Sequence, residues 1–163
     1  MEEPPPPDAE LDLLRRVLAE AEEWAESGGG GPFAAAVTLD GEVLALARNE
    51  VAATGDPTAH AEMTALRTAA RVRGNHDLSG AVLVASAEPC PMCLAAAWWA
   101  RVDRVLFSAG RNEASAAGFD DTALYEELAA PLGSRRLPIT QALEEEGTAP
   151  FRAWARNPNR VPY

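Results

Sequence analysis

Four residues in two short segments carry most of the chemical potential of this chain. One segment reads His60-Ala61-Glu62, the other Pro89-Cys90-Pro91-Met92-Cys93. Thiolate and neutral imidazole are good zinc ligands. Cys90 and Cys93 stand three apart at the predicted start of a helix, so both sulfurs share one face and reach one ion. The partial positive charge of a helix N-terminus favours thiolate over thiol. Pro91 suits the first helical position, where its missing N–H would be unpaired anyway. His60 also falls at a predicted helix start. Glu62 follows two residues later, about 200° round a regular helix. Those two side chains diverge for a site beside the helix and converge for a site beyond its N-terminal end. The pattern therefore predicts two helix starts aimed at one zinc ion.

Counting ligands separates the possible uses of that ion. The chain has two cysteines and two histidines. Cys90, Cys93 and His60 make three ligands, whereas a closed structural zinc site usually has four protein ligands and a catalytic one keeps a position for water. His76 is the remaining conventional donor, but Gly74-Asn75-His76-Asp77 reads as a surface turn. A structural zinc site and a redox-active cysteine pair are the competing readings. The redox reading leaves His60-Ala61-Glu62 unexplained. Zinc lowers the pKa of a bound water towards about 7, and Glu62 is placed to accept that proton and deliver it elsewhere. Alone, Glu62 would read as an exposed helix residue.

These segments need a scaffold. Leu11, Leu14, Leu18, Ala21 and Trp24 or Ala25 recur at helical spacing from Asp8 to about Ser27. Phe33 to Leu39 and Glu42 to Arg48 read as strands joined by Asp40-Gly41, a strong two-residue hairpin signal. A polar loop follows, then a helix from about Pro57 to Val72, with Asp56 as its expected N-cap and Pro57 at its first position. Ala81 to Ser86 reads as a buried strand, Pro91 to about Ala100 as a helix and Arg104 to Ser108 as a strand. Residues 121 to 130 and 149 to 156 look helical, and Pro138 to Gln141 fits a last short strand. Strands alternating with helices after an opening hairpin argue for an α/β sandwich.

Bulk properties narrow the partners. The 163 residues suit a single domain spanning residues 8–163, behind a flexible proline-rich leader over 1–7. Hydrophobic residues make up 47%, as in a globular chain. No apolar run reaches the roughly 18 residues that cross a bilayer, and the acidic, proline-rich N-terminus is unlike a secretory signal. A cytoplasmic location is expected, with no membrane partner. The net charge of −11 disfavours binding to a nucleic-acid backbone. Arg101, Arg104, Arg135 and Arg136 could form a local basic patch, but they read equally as solvated surface.

His-x-Glu followed by Pro-Cys-x-x-Cys is the signature of zinc-dependent nucleobase deaminases, in which the Glu is not a ligand. The likeness extends further. Gly31-Pro32-Phe33, Asn49, the run Asp56 to Glu62 and the run Glu88 to Cys93 resemble the nucleobase branch of the cytidine deaminase-like superfamily. Ala117-Gly118-Phe119-Asp120-Asp121 and the tail from Pro150-Phe151-Arg152-Ala153-Trp154 to Tyr163 are most similar to the bacterial guanine deaminases. The resemblance implies a three-layer α-β-α sandwich with a mixed sheet of about five strands, and one catalytic Zn2+ per subunit. It implies hydrolysis of guanine to xanthine and ammonia, with Glu62 carrying the proton from water to a ring nitrogen. It places Asn49, Phe33 and Ala61 at the substrate, and Asp121 near the leaving amino group. Tyr163 would close the site of a neighbouring subunit in a domain-swapped homodimer.

Each of these carried-over roles has a structural rival. Asn49 could cap a turn, Phe33 could be ordinary core, Asp120 and Asp121 could cap the following helix, and Tyr163 could be a frayed end. The chain departs from the expected pattern at Ala35, where related sequences often carry Gly, and in Trp98-Trp99. Guanosine, ammeline or cytosine are the neighbouring substrate choices. A tRNA adenosine deaminase and a non-catalytic zinc module are the more distant readings.

Overall fold

The computed structural model describes residues 5–162. Residues 1–4 of the leader and Tyr163 lie outside the described residues, and so do the expectations placed on them. The chain divides into two compact units, Met1–Asp121 and Thr122–Tyr163.

The first unit is built around a four-stranded sheet. Strands β1 (Ala34–Leu39), β2 (Glu42–Arg48), β3 (Ala81–Ala87) and β4 (Arg104–Ala109) lie in the order β2-β1-β3-β4. β1 is antiparallel to both β2 and β3, and β3 runs parallel to β4. The expected hairpin forms: Asp40 and Gly41 adopt φ of 51° and 82°, the positive values that a type I′ turn needs at both central residues. β1 is central and covered on both faces, which is why its sequence reads as an apolar run without alternation.

Successive residues of a strand point to opposite faces, and the two faces have separate cores. On one, Ala34, Ala36 and Val84 meet helix α1 (Asp8–Glu26) through Leu13, Val17 and Ala21. On the other, Ala35, Val37, Leu83 and Ala85 meet α3 (Ala61–Arg73) through Ala61, Ala65, Leu66 and Ala69, with Ala97 of α4 (Pro91–Trp99) alongside. Helix, sheet and helices make the expected three layers. Glu10 of α1 also pairs with Arg104, tying the first helix to β4.

Several boundaries differ from the sequence reading. The inward stripe of α1 is Leu13, Val17 and Ala21, and Leu18 stays exposed; leucines flank both stripes, so spacing alone did not choose between them. α3 starts at Ala61, later than Pro57. Asp56 is therefore no helix cap: its Oδ1 accepts from the Thr58 N–H (2.8 Å) and hydroxyl (2.7 Å), closing a local turn. Two short helices, α2 (Val51–Thr54) and α5 (Arg111–Ala116), were not anticipated.

The second unit holds α6 (Thr122–Ala129), a 3-10 turn at Leu132–Ser134, α7 (Glu144–Gly147) and α8 (Ala149–Arg156). The fifth strand expected at Pro138 to Gln141 is not formed, so the sheet has four strands among the described residues. Pro138 has no N–H for a ladder. Just before it, the Glu127 carboxylate accepts from the N–H groups of Arg136 (3.0 Å) and Leu137 (2.9 Å), which fixes the backbone by side-chain bonds.

Leu83 is fully buried between Val37 and Val105 on the α3 face of the sheet. Truncation to Ala is expected to cost about 2–5 kcal/mol of unfolding free energy, measured by denaturant unfolding. A loss well under 1 kcal/mol would contradict this packing.

Candidate active site

The two motifs sit where chains enter helices. His60 is the N-cap of α3, with φ −63° and ψ 153°, and Cys90 is the N-cap of α4, with φ −63° and ψ 166°. An N-cap residue is extended, so its side chain leaves the end of the helix instead of wrapping along its side. Pro91 occupies the first turn of α4, as expected. The geometry is the end-on convergence that the His60 to Glu62 spacing predicts.

His60 Nδ1, Cys90 Sγ and Cys93 Sγ lie 3.6 Å from one another in all three pairs. A tetrahedral zinc ion with Zn–S of about 2.3 Å and Zn–N of about 2.0–2.1 Å separates its ligand atoms by roughly 3.5–3.8 Å. The three atoms therefore fit zinc as they stand, and they form the metal-ligand group found among the described residues. His76 is exposed and outside it.

Electrostatics favour one thiolate at this centre. The Cys93 thiol bonded to the Cys90 sulfur, reinforced by His60, holds Cys90 down to about 4. The same bond and burial push Cys93 up. The bond to Cys90 raises His60. One sulfur is thus a ready thiolate, while Cys93 and His60 must shed protons to coordinate a cation. Glu62 is 7% exposed, and burial pushes its carboxyl up from the ordinary range. A raised carboxyl beside a metal site suits a group that must both take and return a proton.

A cavity of about 450 Å³ opens over this centre, and His60, Glu62 and Cys90 line it together with Phe33, Asn49 and Asp121. Asn49 is buried; its Oδ1 accepts from Val51 N–H at 3.3 Å. Asp121 is half-buried, and burial raises its carboxyl while the Arg111 guanidinium opposes the shift. Ala61 is not on the cavity wall; its side chain is fully buried in the core beneath α3. Tyr163 lies outside the described residues.

The cavity also includes residues to which the sequence reading gave no role. Phe119 stands edge-on to Phe33, with ring centres 4.8 Å apart and planes at 85°. Arg111 pairs with Glu88 at 3.3 Å, and both line the cavity. Phe119 was signalled only by its place two residues before Asp121. Arg111 had no signal, because α5 was not anticipated.

Residues 8–109 match the family model of the cytidine and deoxycytidylate deaminase zinc-binding region. The chain belongs to this deaminase family. It is 42% identical to the guanine deaminase of Bacillus subtilis over 151 residues, 93% of this chain and 97% of that protein. The crystal structure of that enzyme superposes with a TM-score of 0.89, covering 92% of this chain and 96% of the other. A tRNA-specific adenosine deaminase of Bacillus subtilis is 34% identical over 133 residues, 82% of this chain and 80% of that protein. The chain is accordingly a zinc-dependent deaminase with the cytidine deaminase-like fold, and His60, Cys90 and Cys93 are the residues that fit its zinc.

Replacing Cys93 by Ala is expected to lower zinc content at least tenfold, assayed by metal analysis after dialysis. In the unaltered protein, zinc occupancy should fall as pH drops from about 7 towards 4, because His60 and both sulfurs must be deprotonated to bind. Full occupancy at the acid end would contradict this ligand set.

Proposed function

We propose that this deaminase hydrolyses guanine to xanthine and ammonia. The observation that carries the reading is a single cavity that joins the zinc ligands and Glu62 to an amide, Asn49, an aromatic pair, Phe33 and Phe119, and a second carboxylate, Asp121. A flat heterocycle packs well on aromatic rings. A carboxamide offers both donors and acceptors to a purine edge, and a carboxylate accepts from ring N–H and amino groups, which guanine presents. Cytosine gives Asp121 less to do. The similarity to the Bacillus subtilis guanine deaminase, which runs through nearly the whole chain, supports the same choice. The net charge of −11 weighs against an RNA substrate.

When bound, zinc supplies a water of lowered pKa near neutrality. Glu62 would carry one proton of the attacking water to a ring nitrogen of the base and the other to the amino group, which then leaves as ammonia. Asn49 holds the base edge, and Phe33 and Phe119 hold its plane. Asp121 accepts from the amino group that leaves as ammonia. The reaction consumes one water and needs no oxidant or reductant.

We infer that the second unit completes a partner's site in a domain-swapped homodimer. α8 exposes Phe151 at 76% and Trp154 at 45%, and apolar exposure of that size suits an interface. We also infer a cytoplasmic location. The described cysteines are free and committed to metal, as a reducing compartment allows. No described helix is long and apolar enough to cross a membrane.

Ammonia release from guanine, guanosine, ammeline, cytosine and adenine tests the substrate. Guanine should exceed adenine and cytosine by at least about a hundredfold in kcat/KM. Glu62→Ala should retain zinc and lose turnover by about 10²–10⁴; an active variant would remove Glu62 from proton transfer. Deleting residues 151–163 should weaken turnover with zinc retained and reduce the dimer fraction in sedimentation. Unchanged kinetics and mass would end the swapped-tail reading.

A further inference from the structure

Asn49 is anchored from three directions. Its N–H donates to the Phe33 carbonyl at 2.9 Å, and its Oδ1 accepts from Val51. The third anchor comes from α1: the indole Nε1–H of Trp24 donates to the Asn49 carbonyl at 2.6 Å. The first goes to the residue just before β1, the second to the first residue of α2. The Trp24 bond reaches Asn49 from α1, the helix that covers the face of the sheet away from α3.

The loop Gly28-Gly29-Gly30-Gly31 is shaped to that bond. A Cβ on Gly29 would stand 2.4 Å from a ring carbon of Trp24. One on Gly30 would stand 2.8 Å from the Asn49 carbonyl oxygen and 2.9 Å from Trp24 Nε1, the two partners themselves. Neither glycine has a positive φ, so clearance, and not backbone freedom, requires glycine there. Arg48, the residue before Asn49, lies over the indole at 5.4 Å and is itself held by Glu20 (2.6 Å) and Glu23 (3.1 Å) of α1. The next glycine, Gly31, comes up against Phe33 and Phe119 on the cavity wall.

We propose that Trp24, seated under Gly29 and Gly30, is a positioning residue for substrate binding that sets where the Asn49 amide stands in the cavity. The proposal rests on the reading of Asn49 as a contact to the base. Trp24 lies outside the cavity lining, so it acts only through Asn49. Its effect belongs in KM, because a contact made equally in ground and transition states leaves kcat unchanged.

Two substitutions attack the bond from its two sides. Trp24→Phe keeps an aromatic ring and deletes the donor; Gly30→Ala sets a methyl against the flank of the bond, too close to donor and acceptor for both to stay in place. Each should raise KM for guanine about fivefold, the size of one net hydrogen bond, with kcat within about twofold and zinc content unchanged. In an Asn49→Ala background, neither should raise KM further, since the two act through one contact. Unchanged KM in both single variants would overturn the proposal. So would an undiminished effect in the Asn49→Ala background, which would mark Trp24 as general packing. If Asn49→Ala itself leaves KM unaltered, Asn49 leaves the site and the proposal falls with it, an outcome distinct from the other two.

Discussion

Two sulfurs and one imidazole nitrogen must meet at a point the size of an ion, with a buried carboxylate beside them. That convergence is the constraint on which the rest of the first unit depends. Placing His60 and Cys90 at the N-caps of α3 and α4 meets it, because an extended N-cap throws its side chain off the end of the helix. The helix ends also supply partial positive charge where thiolate and carboxylate gather. α3 and α4 can share that focus because one face of the sheet carries both, through the core cluster that includes Ala61, Ala65 and Ala97.

The cavity wall follows from the same arrangement. Asn49 comes from the end of β2, Phe33 from the entry to β1, and Asp121 from beyond α5. None of them is near the zinc ligands in sequence. The sheet order β2-β1-β3-β4 brings the ends of β1 and β2 to the side where α3 and α4 begin. The loops flanking β1, β2 and α5 thus supply the cavity wall, while the helix starts supply the metal ligands.

Legibility in the sequence tracked the range of the forces involved. The zinc ligands and Glu62 were readable because their spacing is a local helical fact. The Asp40-Gly41 turn was readable because two adjacent positive φ values favour those residue types. Asp56-Pro57 imitates a cap, but the Asp56 carboxylate closes a turn on Thr58 and α3 begins at Ala61, after the extended His60. The short helices α2 and α5 are too brief to show a period. The strand expected at Pro138 failed because a side chain, Glu127, took the N–H groups just before it. The Phe33–Phe119 contact and the Trp24–Asn49 bond join distant segments, and no local pattern announces them.

The layers of the first unit are filled mainly by alanine: Ala34, Ala35 and Ala36 in β1, Ala61, Ala65 and Ala69 in α3, Ala85 in β3 and Ala97 in α4 are all buried. Short side chains let helix and sheet backbones lie close, with little depth of side chain between them. Such a core is asymmetric under mutation. Truncation removes a methyl at most, whereas enlargement has no slack to absorb it and costs about 1–3 kcal/mol where a methylene is forced in. Sequence drift in this protein is therefore channelled: the alanine positions are closed to growth, and variation in volume is left to the rims of the sheet and to the surface.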